Sequence, residues 1–121
     1  MLEQGRLKFV FGSPGGETIG QTQFQFLVNA VDLGMPVQAA IEAPRFALDA
    51  EPNFYKPAAQ ITVQAENRFS PAALAALEAM GHKVERVGGW SIGSVQAIHR
   101  NSEGTMTAGG DPRRMGYAIG Y

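Results

Sequence analysis

Cysteine is absent from the 121 residues of this chain, which excludes a disulfide framework, thiol catalysis and every cysteine-based metal site. A large net charge is also absent, because the chain has 10 Lys and Arg and 11 Asp and Glu, and no stretch is rich in residues of one charge sign. A nucleic-acid or acidic-surface partner is therefore not predicted. Long apolar runs are missing too, so we expect no membrane span. Residues 1–15 lack the basic-then-apolar pattern of a signal peptide.

The rest of the composition is that of a globular protein, with 45% hydrophobic residues. The 15 glycines and 7 prolines indicate many tight connections, yet they are dispersed and form no low-complexity linker. Because no internal repeat or domain boundary is visible, we expect residues 1–121 to form a single domain or a fragment of a larger one. Residues 1–6 are polar without a period, and we expect them to be disordered or to belong to an artificial chain start.

The most informative stretch is Gly12-Ser13-Pro14-Gly15-Gly16, which follows the apolar run 7–11 and precedes a long apolar-rich segment. This order predicts a strand, a tight loop and a helix. Proline restricts the backbone of the loop, and the two glycines then offer consecutive N–H donors, unobstructed by side chains, near a helix start. Two such donors that converge on one point can bind a developing negative charge. The same pentapeptide also fits a plain strand-to-helix turn.

The spacing of apolar and turn residues predicts the other elements. Helices are expected at 17–33, between Pro36 and Pro44, and at 70–80, where Ser70 and Pro71 form an N-terminal cap. The predicted strands are 7–11, 46–48, 60–65, 83–87, 94–100, 105–108 and 116–121, with a loop at 49–57. Helices together with several short strands indicate the α+β class.

Several polar residues have the chemistry of binding sites, but their surroundings in the sequence favour structural roles. His82 and His99 have no carboxylate or second histidine at ligand spacing, so no metal site is predicted. Arg45 follows the end of a predicted helix and is expected to pair with a carboxylate or with helix carbonyl groups. Asp111-Pro112-Arg113-Arg114 has the composition of an anion site, but the adjacent acid favours a structural ion pair.

Six short motifs occur in an order that is informative as a set. They are Gly12-Ser13-Pro14-Gly15-Gly16, Val31-Asp32-Leu33-Gly34-Met35, Ala40-Ile41-Glu42-Ala43-Pro44-Arg45, Ala79-Met80-Gly81-His82, Val95-Gln96-Ala97-Ile98 and Asp111-Pro112-Arg113-Arg114. With them, residues 7–121 resemble the C-terminal part of the small subunit of the γ-glutamyltranspeptidase family. That family belongs to the N-terminal-nucleophile hydrolases.

The resemblance implies a fold and a set of partners. The expected fold is part of an αββα sandwich, in which antiparallel sheets lie between helical layers and helices 17–33 and 70–80 cover one sheet. The expected partners are the large subunit, the N-terminal part of the small subunit and a small γ-glutamyl substrate. We also expect the isolated chain to self-associate through an uncovered face. No cofactor or metal is implied. Many bacterial members are periplasmic or secreted, but the compartment of this chain is left open.

The resemblance also implies roles for the loop residues. It places Gly15 and Gly16 at the family's oxyanion hole, which is made of backbone N–H groups, and Ser13 and Glu17 beside the substrate. In the family, a threonine freed by self-cleavage attacks a γ-glutamyl amide, and its own α-amine can serve as the base. That nucleophile does not map onto this chain, because residue 2 is leucine and nothing before residue 7 resembles the nucleophile segment.

The resemblance predicts a fragment of an enzyme that transfers or hydrolyses the γ-glutamyl group of glutathione and related amides. We expect the isolated chain to be inactive. Three alternatives stay open at this point. The first is that the parent protein is an acylase of the same superfamily, which cleaves a dicarboxylic acyl amide or a β-lactam side chain. The second is that the parent is a non-catalytic binding homologue. The third is that the chain is a free-standing small binding domain.

Overall fold

The computed structural model describes residues 1–51 and 60–120. Eight strands and three α-helices are found in these ranges. In chain order they are β1 Leu2–Glu3, β2 Arg6–Leu7, β3 Phe9–Gly12, α1 Thr18–Leu27, α2 Val37–Glu42, β4 Phe46–Glu51, β5 Gln60–Glu66, α3 Pro71–Ala79, β6 Lys83–Val87, β7 Gln96–Arg100 and β8 Met106–Gly109. The chain divides into two compact units, Met1–Ala43 with Gly93–Tyr121 and Pro44–Ile92.

The first unit is built on an antiparallel sheet in the order β3-β7-β8. Strand alternation directs Phe9 and Ala97 toward the helices α1 and α2, where they join a buried core. Phe26 of α1 meets Phe9 edge to face, with ring centroids 6.0 Å apart. Val10 and Ile98 point to the opposite face of the sheet and remain 51% and 42% exposed. The sheet is therefore covered by helices on one side, and its other side carries exposed apolar residues.

The helices of this unit follow the predicted boundaries closely. The predicted helix 17–33 is α1 followed by a π-helical turn at Val28–Asp32, and it ends at Gly34, which has φ +65°. The short second helix is α2, which begins after Pro36 and stops before Pro44. Pro36 suits the start of this helix, where no backbone donor is needed, and Pro44 ends it by holding Ala43 in an extended conformation with ψ 146°.

The second unit is a mixed sheet in the order β4-β5-β6. Strands β4 and β5 are antiparallel as expected, but β5 and β6 are parallel, with Val63 opposite Val84. Parallel neighbours require a crossover connection, and α3 supplies it. The predicted cap of α3 is confirmed, since the Ser70 hydroxyl accepts a hydrogen bond from Ala73 N at 3.2 Å and Pro71 occupies the first turn. Gly81 follows the helix with φ +92°.

Two expectations for the chain ends are wrong. Residues 1–6 are not disordered, because β1 and β2 form a hairpin that pairs Leu2 with Leu7, and the Met1 amine donates to Phe9 O at 2.7 Å. The predicted strand 116–121 is also not found. Residues 116–120 form no regular element and make no ladder hydrogen bonds within the described chain, while Tyr121 lies outside it. Glycines at 116 and 120 disfavour a strand.

Two further expectations need correction. Helices 17–33 and 70–80 do not cover one common sheet, because α1 belongs to the first unit and α3 to the second. The predicted loop 49–57 is wrong for residues 49–51, which continue β4, and residues 52–57 lie outside the described ranges. The alternation of apolar and polar residues in 46–51 is too short to predict that the strand continues to residue 51.

Candidate functional site

The candidate site is the loop of residues 13–17, between Gly12 at the end of β3 and Thr18 at the start of α1. Gly15 and Gly16 have φ of +132° and +55°, values that glycine adopts readily and other residues rarely. The first turn of α1 binds the carbonyl groups of both glycines. Gly15 O accepts from Thr18 Oγ1 at 2.9 Å, and Gly16 O accepts from Ile19 N at 3.1 Å. The loop is thus fixed to the helix through its oxygens.

The N–H groups of the two glycines, unlike their carbonyl groups, take no part in this bonding to α1. Within residues 1–51 and 60–120, neither Gly15 N–H nor Gly16 N–H donates a hydrogen bond. Both residues are exposed, and both precede the positive end of the α1 dipole. This arrangement leaves two adjacent donors available to an external oxygen that carries negative charge.

The other two predicted site residues lie in the same loop. Ser13 Oγ donates to Pro14 O at 3.1 Å, which stabilises the turn locally. Glu17 is exposed and immediately precedes α1, but its side chain makes no capping hydrogen bond. The structure therefore brings Ser13 and Glu17 to either end of the glycine pair, with the carboxylate of Glu17 facing solvent.

Aromatic packing connects this loop to the core of its unit. Phe26 packs against both Phe9 and Phe11, whose ring centroids lie 6.0 Å and 5.6 Å away. Because Phe9 and Phe11 belong to β3 and Phe26 to α1, the strand before the loop and the helix after it are held together. The residue that sequence reasoning missed here is Thr18, a first-turn threonine whose side chain binds back to Gly15.

The expected structural ion pair at Asp111 is confirmed. Arg113 Nη1 lies 3.2 Å from Asp111 Oδ1, and both side chains are buried. The same guanidinium donates to Ile41 O at 3.0 Å and to Ala43 O at 2.9 Å, carbonyls at the end of α2. Asp111 Oδ2 in turn accepts from Val95 N at 2.8 Å. These contacts tie the residues before β7 to the end of α2.

Arg45 also has structural partners, although the carbonyl that its guanidinium binds lies in a loop and not at a helix end. Its Nη1 donates to Ile92 O at 3.3 Å, and its backbone N donates to Glu66 Oε2 at 3.1 Å. His99 stacks on Phe9 with centroids 4.6 Å apart. Across the described ranges, no group of three or more His, Cys, Asp or Glu side chains is arranged to hold a metal ion. In the same ranges, no helix has both the length and the apolar character needed to span a bilayer.

Comparison with known proteins extends over the whole chain. It is 34% identical over 122 residues to the oxamate amidohydrolase proenzyme of Klebsiella pneumoniae, covering 99% of this chain and 22% of that protein. It is 35% identical over 115 residues to the glutathione hydrolase proenzyme of Escherichia coli, covering 95% and 18%. The chain therefore spans about a fifth of the length of these curated relatives.

The fold agrees with that of solved relatives. The gamma-glutamyltranspeptidase from Pseudomonas nitroreducens, determined with L-DON, superposes with a TM-score of 0.80 at 28% identity and covers 100% of this chain and 59% of that one. The predicted α+β architecture of the N-terminal-nucleophile hydrolases is thereby confirmed. The sequence profile of the gamma-glutamyltranspeptidase family matches residues 1–121, and the chain belongs to that family.

Proposed function

We propose that this chain is the C-terminal part of an enzyme that transfers or hydrolyses the γ-glutamyl group of glutathione and related amides. In this proposal the chain contributes the oxyanion hole. The supporting observation is the pair of exposed N–H groups at Gly15 and Gly16, which have no acceptor in the described chain and lie next to the start of α1.

The chemistry of acyl transfer explains why such a pair is useful. When a hydroxyl nucleophile attacks an amide carbon, negative charge develops on the carbonyl oxygen. Donors that already point at that oxygen need not reorganise during the reaction, and the positive end of α1 adds to their effect. Ser13 and Glu17, at the two ends of the glycine pair, are the proposed contacts to the acyl donor.

The attacking group belongs to another part of the enzyme in this proposal. A threonine nucleophile and the residues that bind the α-amino and α-carboxyl groups are assigned to the remainder of the parent polypeptide, which is the proposed partner. The coverage of about a fifth of the curated relatives supports this assignment. Determining the sequence encoded upstream tests it, since a threonine processing segment favours an enzyme and its absence favours a binding homologue or a free-standing binding domain.

A second candidate is a parent that cleaves a different acyl amide, as a superfamily acylase would. The observation in its favour is that relatives named for different reactions, an oxamate amidohydrolase and a glutathione hydrolase, are 34% and 35% identical to this chain. An oxyanion hole does not select the acyl group by itself. Comparing kcat/KM for a γ-glutamyl anilide, oxamate and a glutaryl β-lactam amide separates the candidates.

The oxyanion role is tested by Gly16→Ala and Gly16→Val in the full-length parent. Outside its chain neighbours, no described atom lies within 4 Å of the position that Cβ would take at Gly16, so the Cβ atom of either variant has room. We expect the new side chain to tilt or obstruct a donor, and loss of one donor lowers kcat by about 10²–10³. KM should change much less.

The matched control is Gly34→Ala. Gly34 has a similar φ of +65° and similarly open surroundings, but it lies beyond the far end of α1. Both substitutions place alanine in a left-handed conformation, which costs about 1 kcal/mol of stability. If the Gly16 variants keep kcat per titrated active site within about threefold of wild type while losing stability as Gly34→Ala does, the loop is only a turn.

A further inference from the structure

Gly93, just before β7, approaches α1 more closely than any side chain would permit. A Cβ atom added at Gly93 would lie 2.3 Å from Thr22 Oγ1, 3.2 Å from Thr22 Cγ2 and 3.3 Å from Thr22 Cβ. Rotation about χ1 of Thr22 does not readily clear this space, because threonine is branched at Cβ. Gly93 also has φ +57°, so both its backbone and its surroundings require glycine.

Both sides of this contact are buried and held in place. Thr22 has no exposed surface, and its hydroxyl has no hydrogen-bond partner among the described residues. On the other side, Ser94 and Val95 are buried, and Val95 N is bonded to the Asp111 carboxylate at 2.8 Å. An unpartnered buried hydroxyl is unfavourable by about 1–3 kcal/mol. The Thr22 hydroxyl therefore does not stabilise the unit through a hydrogen bond within the described residues.

Helix α1 links the contact between Gly93 and Thr22 to the loop of residues 13–17. Thr22 lies one helical turn after Thr18, whose hydroxyl and amide both bind Gly15 O. Toward the other end of α1, Phe26 is packed between Phe9 and Phe11. With that end held, a sideways displacement at Thr22 tilts the first turn of α1, and the carbonyls of Gly15 and Gly16 move with it.

We propose that Gly93 is a positioning residue, which sets the distance between α1 and the β7 segment and thereby aims the Gly15 and Gly16 amides. This inference rests on the proposed function. Relieving a contact of 2.3 Å to an ordinary van der Waals separation requires a shift of about 1 Å. A misplacement of about 1 Å in a catalytic arrangement can reduce the rate by about 10²-fold.

The test compares Gly93→Ala, Thr22→Ala and the double variant in the full-length parent, with Gly34→Ala as the control for backbone strain alone. We expect Gly93→Ala to lower kcat per titrated active site by about 10- to 100-fold with a smaller change in KM. Thr22→Ala removes the atoms nearest the new methyl group, so the double variant should recover at least tenfold in kcat. The melting temperature of the double variant should stay low, because the strain at φ +57° remains.

Two results overturn the proposal. One is a Gly93→Ala variant that keeps kcat within threefold while its melting temperature falls as in Gly34→Ala, and the other is a double variant as slow as Gly93→Ala. If Gly93→Ala does not fold, Thr22→Ala is compared with Thr22→Val, which preserves the bulk next to Gly93. The proposal then requires a kcat that is several-fold lower for Thr22→Ala, and equal values reject it.

A second measurement separates this proposal from the proposed function. In the full-length parent labelled with ¹⁵N-glycine, the amide signals of Gly15 and Gly16 should shift in Gly93→Ala and return toward wild type in the double variant. A wild-type parent without turnover on any amide would reject the proposed function. Unmoved Gly15 and Gly16 signals in Gly93→Ala would reject the positioning role, whatever the outcome of the activity assay.

Discussion

Replacing Glu66 by glutamine should destabilise the chain strongly, although the two side chains have nearly the same shape. Glu66 has no exposed surface and lies at the end of β5 in the second unit. Its Oε2 accepts from Arg45 N at 3.1 Å and from Arg68 Nη2 at 2.6 Å. Its Oε1 accepts from Ser91 N at 3.2 Å and from Ile92 N at 3.3 Å. One carboxylate therefore satisfies donors from three separate segments.

The magnitude follows from these contacts. Glutamine has one acceptor oxygen, so at least two of the four donors must face an NH₂ group or lose their partner. Hydrogen bonds to charged groups contribute about 1.5–3 kcal/mol each, and breaking a buried ion pair costs about 3–5 kcal/mol. We expect Glu66→Gln to lower the free energy of unfolding by about 3–5 kcal/mol. For 121 residues this corresponds to a melting temperature about 12–20 °C lower.

The assay is urea unfolding followed by tryptophan fluorescence. Trp90 is the single tryptophan in the sequence, and Arg68 Cζ lies 3.6 Å from its ring centroid, so its emission reports on the second unit. The matched control is Glu78→Gln in the same unit. Glu78 is 45% exposed and its oxygen lies 3.5 Å from Arg86 Nη2, so the same substitution there should cost less than about 1 kcal/mol.

The comparison of the two variants is decisive. If Glu66→Gln shifts the unfolding free energy by no more than Glu78→Gln does, the buried carboxylate does not hold these segments together. A loss of about 3–5 kcal/mol for Glu66→Gln alone, with an unchanged denaturant slope, supports the network as described.

Two predictions concern the isolated 121-residue chain. It should show no turnover on a γ-glutamyl anilide, because an oxyanion hole without a nucleophile supplies only part of the catalytic effect; hydrolysis that a substitution within the chain abolishes would refute this. It should also self-associate or bind a hydrophobic dye through the exposed sheet face, and Val10→Lys with Ile98→Lys should reduce both. Sedimentation as a compact monomer without dye binding would count against the uncovered face.

Much of the candidate site was predictable because it depends on local backbone chemistry. Pro14 followed by two glycines restricts the path between an apolar strand and an apolar-rich helix, and β3 and α1 lie on either side of that loop. The two N–H donors of Gly15 and Gly16 were also predicted from the sequence, but the partners of the glycine carbonyl groups were not. Thr18 and Ile19 donate to those carbonyl groups, and neither glycine N–H donates a hydrogen bond within the described chain.

Strand partners and buried charges required the tertiary structure. The alternation of apolar and polar residues in 60–65 and 83–87 predicts two strands. This period of two is the same in parallel and antiparallel sheets, so it could not predict that β5 and β6 pair in parallel. Glu66 looks like an ordinary surface acid in sequence, and the motif that contains Asp111 predicts an ion pair but not its burial. Both carboxylates are buried because distant backbone amides and arginines converge on them.

The sequence by itself determined the three helices, their ends and most of the longer strands, since proline, glycine and apolar spacing act within a few residues of where they occur. It also determined the family, because the order of six motifs is a property of the chain alone. Only the tertiary structure decided that Gly93 lies against Thr22, residues 71 positions apart in the chain. Close packing between distant segments is governed by the shape of the whole unit, so no local pattern in the sequence encodes it.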